Sequence, residues 1–445
     1  MSLTNASPEE AARAAKISSR TLATLPTTAR NNALDAIHDA LAAERDSILA
    51  ANANDLELAK KSAANGELSA SILKRLDLSR KGKFDDMLQG IKDVRGLEDP
   101  ELDEGLILQR QTCPIGVLLI IFEARPEVIA NIASLAIKSA NAAILKGGKE
   151  STESFKAIST IISKALAGTE VPNDSIQLVT TRDAVDPLLE LSQYIDLVIP
   201  RGSNELVSYC QRKAHMPVLG HADGLCTIYI HSDADKEMCV NVVVDSKTDY
   251  PAACNAVETL LVHEDALETI LPAVAEALIT KGVELRCDEP SKTALSKHLP
   301  QDQTSLLRAS TEADYTTEFL DLTLAIRTIP STPSPVDAAI THVNTHGSHH
   351  TDCILTSSPQ TSTHFSNGID SACKFWNCST RFCDGMRFGF GTEVGISTNK
   401  VHARGPVGLE GLMIHEYRLA GQGQGAAMYG GSGGKGFRHK KLPLA

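Results

Sequence analysis

The sequence predicts an α/β protein built as two doubly wound lobes with a small accessory hairpin and arm. Three observations carry this expectation. Apolar runs of strand length recur along the chain, amphipathic stretches with apolar residues three and four apart separate them, and the series runs through twice, before and after about residue 223.

Taken in order, Ala6–Lys61 is rich in Ala and Leu at helical spacing and reads as two or three helices. Ile115–Phe122 is continuously apolar, as a parallel strand covered on both faces should be. Pro126 stands where it can open a helix from about Glu127 to Ser139, because a proline in the first turn gives up an amide that would be unpaired anyway. Ala142–Leu145 resumes the sheet. A helix to about Leu166, a strand at Ile176–Val179, a helix near Ala184–Leu191 and a strand at Ile195–Ile199 complete the first series. The second begins with a strand at Cys226–Ile230 and a helix at Asp235–Asp245. A strand at Val257–Val262 follows, then a helix over Asp265–Lys281 with Pro272 near its first turns, and a strand at Val283–Arg286. Further units run through Leu322–Thr328, Val336–Thr345 and Cys353–Thr356. Gly421–Ala445 is glycine-rich, ends in Arg438, His439, Lys440 and Lys441, and reads as an arm reaching a partner subunit.

Composition narrows the function classes. A chain of 445 residues with 42% hydrophobic residues can supply cores for two or three domains. Its 43 Lys and Arg against 55 Asp and Glu leave a net charge of -12, the wrong sign for a general nucleic-acid binder, so any anionic ligand must be caught by local cations or backbone amides. Ile115–Phe122 is far short of the ~18 apolar residues a membrane span needs. Met1–Lys16 carries Glu9 and Glu10 without an apolar block, unlike a secretory signal or a transit peptide. Ten cysteines scattered without disulfide-framework spacing fit a reducing, cytoplasmic compartment. Cys373, Cys378 and Cys383 recur every five residues, which is no zinc-ligand spacing. His342, His346, His349, His350 and Cys353 form a denser group, but Asn344, Gly347 and Ser348 signal a helix end, so these histidines read as an exposed terminus at the negative end of a helix dipole, and no metal is expected.

Three segments carry candidate chemistry. Cys254 stands at the mouth of the apolar run Val257–Val262, among Asn255, Thr259 and small residues, so it reads as an accessible nucleophile outside the apolar packing that silences a thiol. The Cys254 amide and the Asn255 side chain are the candidates for stabilising an oxyanion. Pro200–Asn204 follows a strand and opens a helix, where the amides of Gly202 and Ser203 would face a phosphate. Lys146 at the end of another strand, beside Gly147 and Gly148, could reach ribose hydroxyls or a 2'-phosphate. The full glycine fingerprint of dinucleotide sites is not present, and either loop could equally be a solvated turn.

Six blocks in order resemble the γ-glutamyl phosphate reductase family of the aldehyde dehydrogenase superfamily: Glu123–Pro126, Leu145–Glu150, Ile199–Ser203, Pro251–Leu261, Ser379–Phe382 and His402–Glu410. The resemblance runs nearly end to end. It implies an aldehyde dehydrogenase-like fold, an NADPH-binding domain at 1–98 and 113–223, a cysteine-bearing catalytic domain at 224–400, and oligomerisation elements at 99–112 and 401–445, with a hairpin near Leu102–Thr112. It further implies reduction of L-glutamyl 5-phosphate to the semialdehyde through a Cys254 thioester, in the second step of proline synthesis, by a homo-oligomer that could associate with a glutamate 5-kinase. Arg125, Arg381 and Arg404 stand in these blocks as candidate ligands for phosphate or carboxylate, their alternative being structural pairs with Glu123, Asp384 and Glu410. Glu318 resembles the superfamily glutamate that holds the nicotinamide ribose. Pro217–His221 resembles the segment that carries a water-activating glutamate in hydrolytic relatives; the aligned position here is Val218, which suits an enzyme that must spare its thioester from water. A hydrolytic or non-catalytic aldehyde dehydrogenase-like protein is the rival reading.

Overall fold

The computed structural model describes residues 2–4, 7–65, 70–80, 82–95, 107–123, 128–148, 151–179, 184–301 and 303–426. The first lobe contains strands β1 (Ser2–Thr4), β2 (Ile107–Pro114), β3 (Val117–Phe122), β4 (Ala142–Gly147), β5 (Ile176–Val179) and β6 (Leu197–Arg201). Its helices are α1 (Pro8–Thr24), α2 (Thr27–Ala43), α3 (Arg45–Ala64), α4 (Ala70–Leu76), α5 (Lys83–Arg95), α6 (Val128–Lys138), α7 (Thr152–Leu166), α8 (Val185–Glu190) and α9 (Asn204–Lys213). All strands but β2 join a parallel sheet of order β1-β5-β4-β3-β6.

The run that forms β3 is buried along its whole length because helices cover both faces of the sheet. Leu118, Ile120 and Phe122 pack with α2, α5, α6 and α7, while Val117, Leu119 and Ile121 pack on the opposite side against α1 and α8. Three helices do form before residue 65. The first is fixed at its start by a reciprocal cap: Ser7 Oγ accepts from the Glu10 amide, and Glu10 accepts from the Ser7 amide.

The second lobe repeats the pattern. Strands β7 (Cys226–Ile230), β8 (Val257–His263), β9 (Glu284–Cys287), β10 (Leu307–Ala309), β11 (Thr323–Ile329), β12 (Thr351–Leu355) and β13 (Cys373–Trp376) form a parallel sheet of order β10-β9-β11-β8-β7-β12-β13. Helices α10 (Lys236–Thr248), α11 (Leu271–Thr280), α12 (Glu289–His298), α13 (Pro335–His346), α14 (Pro359–Gly368) and α15 (Gly385–Phe388) accompany it. Ile228, Ile230, Leu260 and Val262 face one core, Tyr229, Leu261 and Ile354 the other.

Several boundaries move. The helix expected over Asp265–Lys281 is a single tight turn at Glu264–Ala266, with α11 starting only at Leu271. Pro272 decides this: without an amide it is tolerated in a first turn but not deeper in a helix. Pro126 and Glu127 lie outside the described residues, and α6 is described from Val128. Residues 102–106 of the expected hairpin lie outside the described residues; β2, which takes in the rest of it, pairs antiparallel with β16 (Met413–Ala420), after the short antiparallel pair β14 (Gly395–Ser397) and β15 (Gly405–Val407). The β2–β16 ribbon exposes Ile414, Tyr417 and Leu419. Residues 427–445, most of the expected arm, lie outside the described residues. Among the described residues no helix is long and apolar enough to cross a membrane.

One buried ion pair lies directly behind β8. Lys247 Nζ of α10 donates to Glu258 Oε2 at 2.6 Å and to the Val257 carbonyl at 3.0 Å, and Glu258 Oε1 accepts from the Leu320 amide at 3.1 Å. Both side chains are sealed from solvent, and burial pushes the Glu258 carboxyl up to about 7 despite the cation beside it. Lys247→Met should cost about 3–5 kcal/mol by leaving a buried charge unpaired. With its folded pKa raised, Glu258 loses stability as pH rises through that value, so the deficit in a denaturant titration should be larger at pH 8 than at pH 5.

Candidate active site

Cys254 lies three residues before β8, in a turn where the Ala256 amide bonds the Ala253 carbonyl. The site is therefore at the amino end of the second sheet, facing the carboxyl end of the first. Gly224, just ahead of β7, packs so closely that a Cβ there would overlap the Cys254 carbonyl. That carbonyl also accepts from Cys226 Sγ at 3.3 Å. Among the described residues the Cys254 amide donates to nothing, which leaves it available to an oxyanion.

The surroundings of the sulfur differ from the expected small polar shell. Cys254 is half-buried and packs against the cluster of Cys373, Cys383 and Ile396. Two histidines adjoin it. One ring nitrogen each of His221 and His350 and Cys254 Sγ all lie within 4.8 Å of one another, and the two rings meet edge to face at 4.7 Å. Burial alone would raise the thiol, but the imidazoles of His221 and His350 outweigh it and hold Cys254 well below the usual thiol range. Burial likewise opposes charge on His221, yet the Cys254 thiolate and the Ile396 carbonyl, which accepts from Nδ1 at 2.7 Å, raise its pKa. His350 is fully buried, and that burial lowers its pKa. The pair is thus asymmetric: His221 is shifted above and His350 below the ordinary imidazole value.

Neither histidine was singled out by the sequence reading. His221 ends the Pro217–His221 segment, whose comparison rested on Val218, three residues earlier; Val218 bridges to Val198 instead. His350 was grouped with an exposed helix terminus. In fact α13 ends at His346, His350 stands immediately before β12, and His342 is stacked on the ring of His346, where burial, then that neighbour, lowers its pKa to about 3. The available signal for His350 was the one used for Cys254: a reactive side chain placed directly ahead of an apolar run. All ten cysteines are free thiols.

The other candidates divide. Asn255 is buried, with Nδ2 donating to the Cys383 carbonyl at 2.7 Å and Oδ1 accepting from Arg381 Nη1. Its amide thus holds the turn rather than standing free for an oxyanion. Arg381 pairs with Asp249 at 3.1 Å, not with Asp384, and lies over the Tyr250 ring. Arg404 spends its donors on Asp370 and the Thr398 carbonyl, not on Glu410, so it fastens a loop and is not presented to a ligand. Arg125 lies outside the described residues.

A cavity of about 480 Å³ opens beside Cys254's turn, lined by Arg75, Arg80, Lys83 and Asp86 of the first lobe and Asp249, Tyr250, Arg381 and Arg387 of the second. Five cations stand against two carboxylates in its wall, and Arg381 and Arg387 both pair with Asp249. Nothing in the spacing of Arg75, Arg80 and Lys83 distinguished them from solvated surface charge.

At the carboxyl edge of the first sheet, Lys146 ends β4 and Gly202 follows β6. The expected phosphate cradle is already filled: the Ser203 amide donates to Glu123 Oε2 at 3.0 Å, and a Cβ on Gly202 would strike the same carboxylate. A pyrophosphate cannot share that amide with an anion, so the Gly202–Ser203 loop does not fit one in this arrangement. Lys146 and Glu318 do fit a nicotinamide nucleotide, the first as a cation at a strand end and the second as a carboxylate for ribose hydroxyls. Glu318 Oε1 accepts from the Gly224 amide at 3.0 Å, and burial, then the nearby Cys254, push its carboxyl up to about 7. Glu393, whose burial also raises it to about 7, is the second carboxyl near the sulfur.

Comparison with known proteins agrees with this geometry. Residues 2–296 match the family model described as the aldehyde dehydrogenase family. The chain is 52% identical to the probable γ-glutamyl phosphate reductase of Schizosaccharomyces pombe over 98% of this chain and 97% of that one. It is 46% identical to γ-glutamyl phosphate reductase of Saccharomyces cerevisiae, over 98% of each. The crystal structure of γ-glutamyl phosphate reductase from Thermotoga maritima superposes with a TM-score of 0.84 at 35% identity, covering 94% of this chain and 99% of that one. A half-buried cysteine flanked by two histidines at the seam of two α/β lobes is thus found in a chain that belongs to the aldehyde dehydrogenase family and, within it, to the γ-glutamyl phosphate reductases.

Proposed function

We propose that this protein reduces L-glutamyl 5-phosphate to L-glutamate 5-semialdehyde and phosphate with NADPH, the second step of proline biosynthesis. The observation that carries this reading is the thiolate-stabilising pair His221 and His350 around Cys254, next to a cationic cavity suited to an acyl phosphate bearing a carboxylate. Cys254 attacks the acyl carbon, the carbon–oxygen bond to phosphate breaks, and a thioester remains on the sulfur. When bound, the nicotinamide supplies a hydride to that thioester. The resulting tetrahedral thiohemiacetal oxyanion faces the Cys254 amide, and its collapse releases the aldehyde and returns the thiolate beside His221. Asn255 keeps the turn and Arg381 in place, while the cations of the cavity wall receive the substrate's charges.

In this reading residues 1–98 and 113–223 hold the nucleotide through Lys146, with Glu318 on its ribose, and residues 224–400 carry the chemistry. Residues 99–112 and 401–445 join subunits through the β2–β16 ribbon. A glutamate 5-kinase is the partner that would hand over so labile an acyl phosphate, and the cytoplasm is where both would work.

The reverse reaction tests this. Supplied with glutamate semialdehyde, phosphate and NADP, the enzyme should form NADPH only while phosphate is present. NADPH formed equally well without phosphate would mean that water takes the thioester, with Glu318 or Glu393 as the base, and the reading would fail.

A further inference from the structure

We propose that Cys254, His221 and His350 form a binding site for a soft or borderline divalent cation, zinc(II) or cadmium(II), that reversibly caps the nucleophile. The three donor atoms lie within 4.8 Å of one another. Zinc–sulfur and zinc–nitrogen bonds of about 2.3 and 2.0–2.1 Å would bring them to roughly 3.3–3.6 Å apart. Side-chain rotations closing about an ångström suffice.

Two further observations point to a metal. His350 Nε2 is buried and has no hydrogen-bond partner, while Nδ1 of the same ring meets Thr351 Oγ1 at 2.9 Å and Cys226 Sγ at 3.7 Å. Nδ1 of His221 must donate to the Ile396 carbonyl, since a carbonyl only accepts, which leaves Nε2 as that ring's donor atom. Each imidazole is thus anchored through one nitrogen and offers the other, the arrangement that orients metal-ligating histidines elsewhere. One sulfur and two nitrogens without a carboxylate select zinc or cadmium over magnesium or calcium, and three protein ligands leave a fourth position for water or phosphate. Of the group His342, His346, His349, His350 and Cys353, for which the sequence led to no metal being expected, only His350 takes part. Among the described residues Cys254, His221 and His350 are the cluster whose donor atoms converge.

This inference rests on three side chains and not on the reaction proposed above, so it is read first by binding. The full-length protein should take up one equivalent of Zn²⁺ by calorimetry and show a sulfur-to-metal charge-transfer band with Cd²⁺. Bound Zn²⁺ should protect Cys254 from iodoacetamide, scored by mass spectrometry of the Cys254 peptide. Cys254→Ser should remove the band, and His350→Gln should weaken Zn²⁺ binding at least about tenfold, since even partners that only orient a ligand are worth that much. Turnover should stop with Zn²⁺ and return with a chelator. Undiminished Zn²⁺ affinity in Cys254→Ser, or a band that persists there and is lost in Cys373→Ser, would overturn the site. Should the metal bind as described in a protein that forms NADPH without phosphate, the functional reading falls and this one stands.

Discussion

Cys254→Ser is expected to lower phosphate-dependent NADPH formation by at least about 10⁴-fold, with Cys254→Ala at the same floor. The size follows from the covalent route. A serine hydroxyl ionises far less readily than a thiol, and the His221 and His350 imidazoles lower the pKa of a sulfur that serine does not supply. The fold should not change, because the Cys254 backbone is held by Gly224, by Cys226 Sγ on its carbonyl and by the anchored side chain of Asn255. Circular dichroism and NADPH binding by fluorescence should match the parent. Retention of more than a few per cent of turnover in either variant would dismiss the thioester route.

His221→Ala should move the pH dependence of Cys254 alkylation. In the native protein the thiol pKa is depressed, so the reactive thiolate is present above that lowered value and is lost only as pH falls through it. The parent should therefore react rapidly well below the ~8.5 of an ordinary thiol. Without the His221 imidazole the half-point should climb toward that value, and at pH 7 the alkylation rate should drop roughly tenfold or more. His350→Ala should move it less, because His221 is the larger of the two imidazole contributions that lower the Cys254 pKa. A profile of pH against iodoacetamide rate measures both, and an unshifted His221→Ala profile would show that something else ionises the sulfur.

Much of the scaffold was legible in the sequence because strand and helix signals are local. Ile115–Phe122 could hardly be anything but a buried parallel strand, and the core on each side of β3 is the consequence of its alternate residues facing opposite ways. Cys254 was legible for a similar reason, a reactive residue written next to an apolar run. The ends of elements were less so: Pro272 limits a helix in a way that Asp265–Lys281 as a hydrophobic pattern does not reveal. The β2–β16 ribbon was half-visible, since each strand is ordinary in isolation and its partner lies about 300 residues away in the chain.

What the sequence determined by itself is therefore the α/β architecture and the family, with Cys254 marked as the candidate nucleophile, all of which depend on neighbours in the chain. The tertiary structure decided the environment of that nucleophile. His221, Cys254 and His350 come from the turn after the first lobe, the approach to β8 and the approach to β12, and they converge because parallel strands bring their starts to one edge of a sheet. The same assembly filled the Ser203 amide with Glu123, turned Arg404 onto Asp370 and gathered Arg75, Arg80, Lys83, Arg381 and Arg387 around one cavity. Charge acts through space over a few ångströms, and separation along the chain carries no record of that distance.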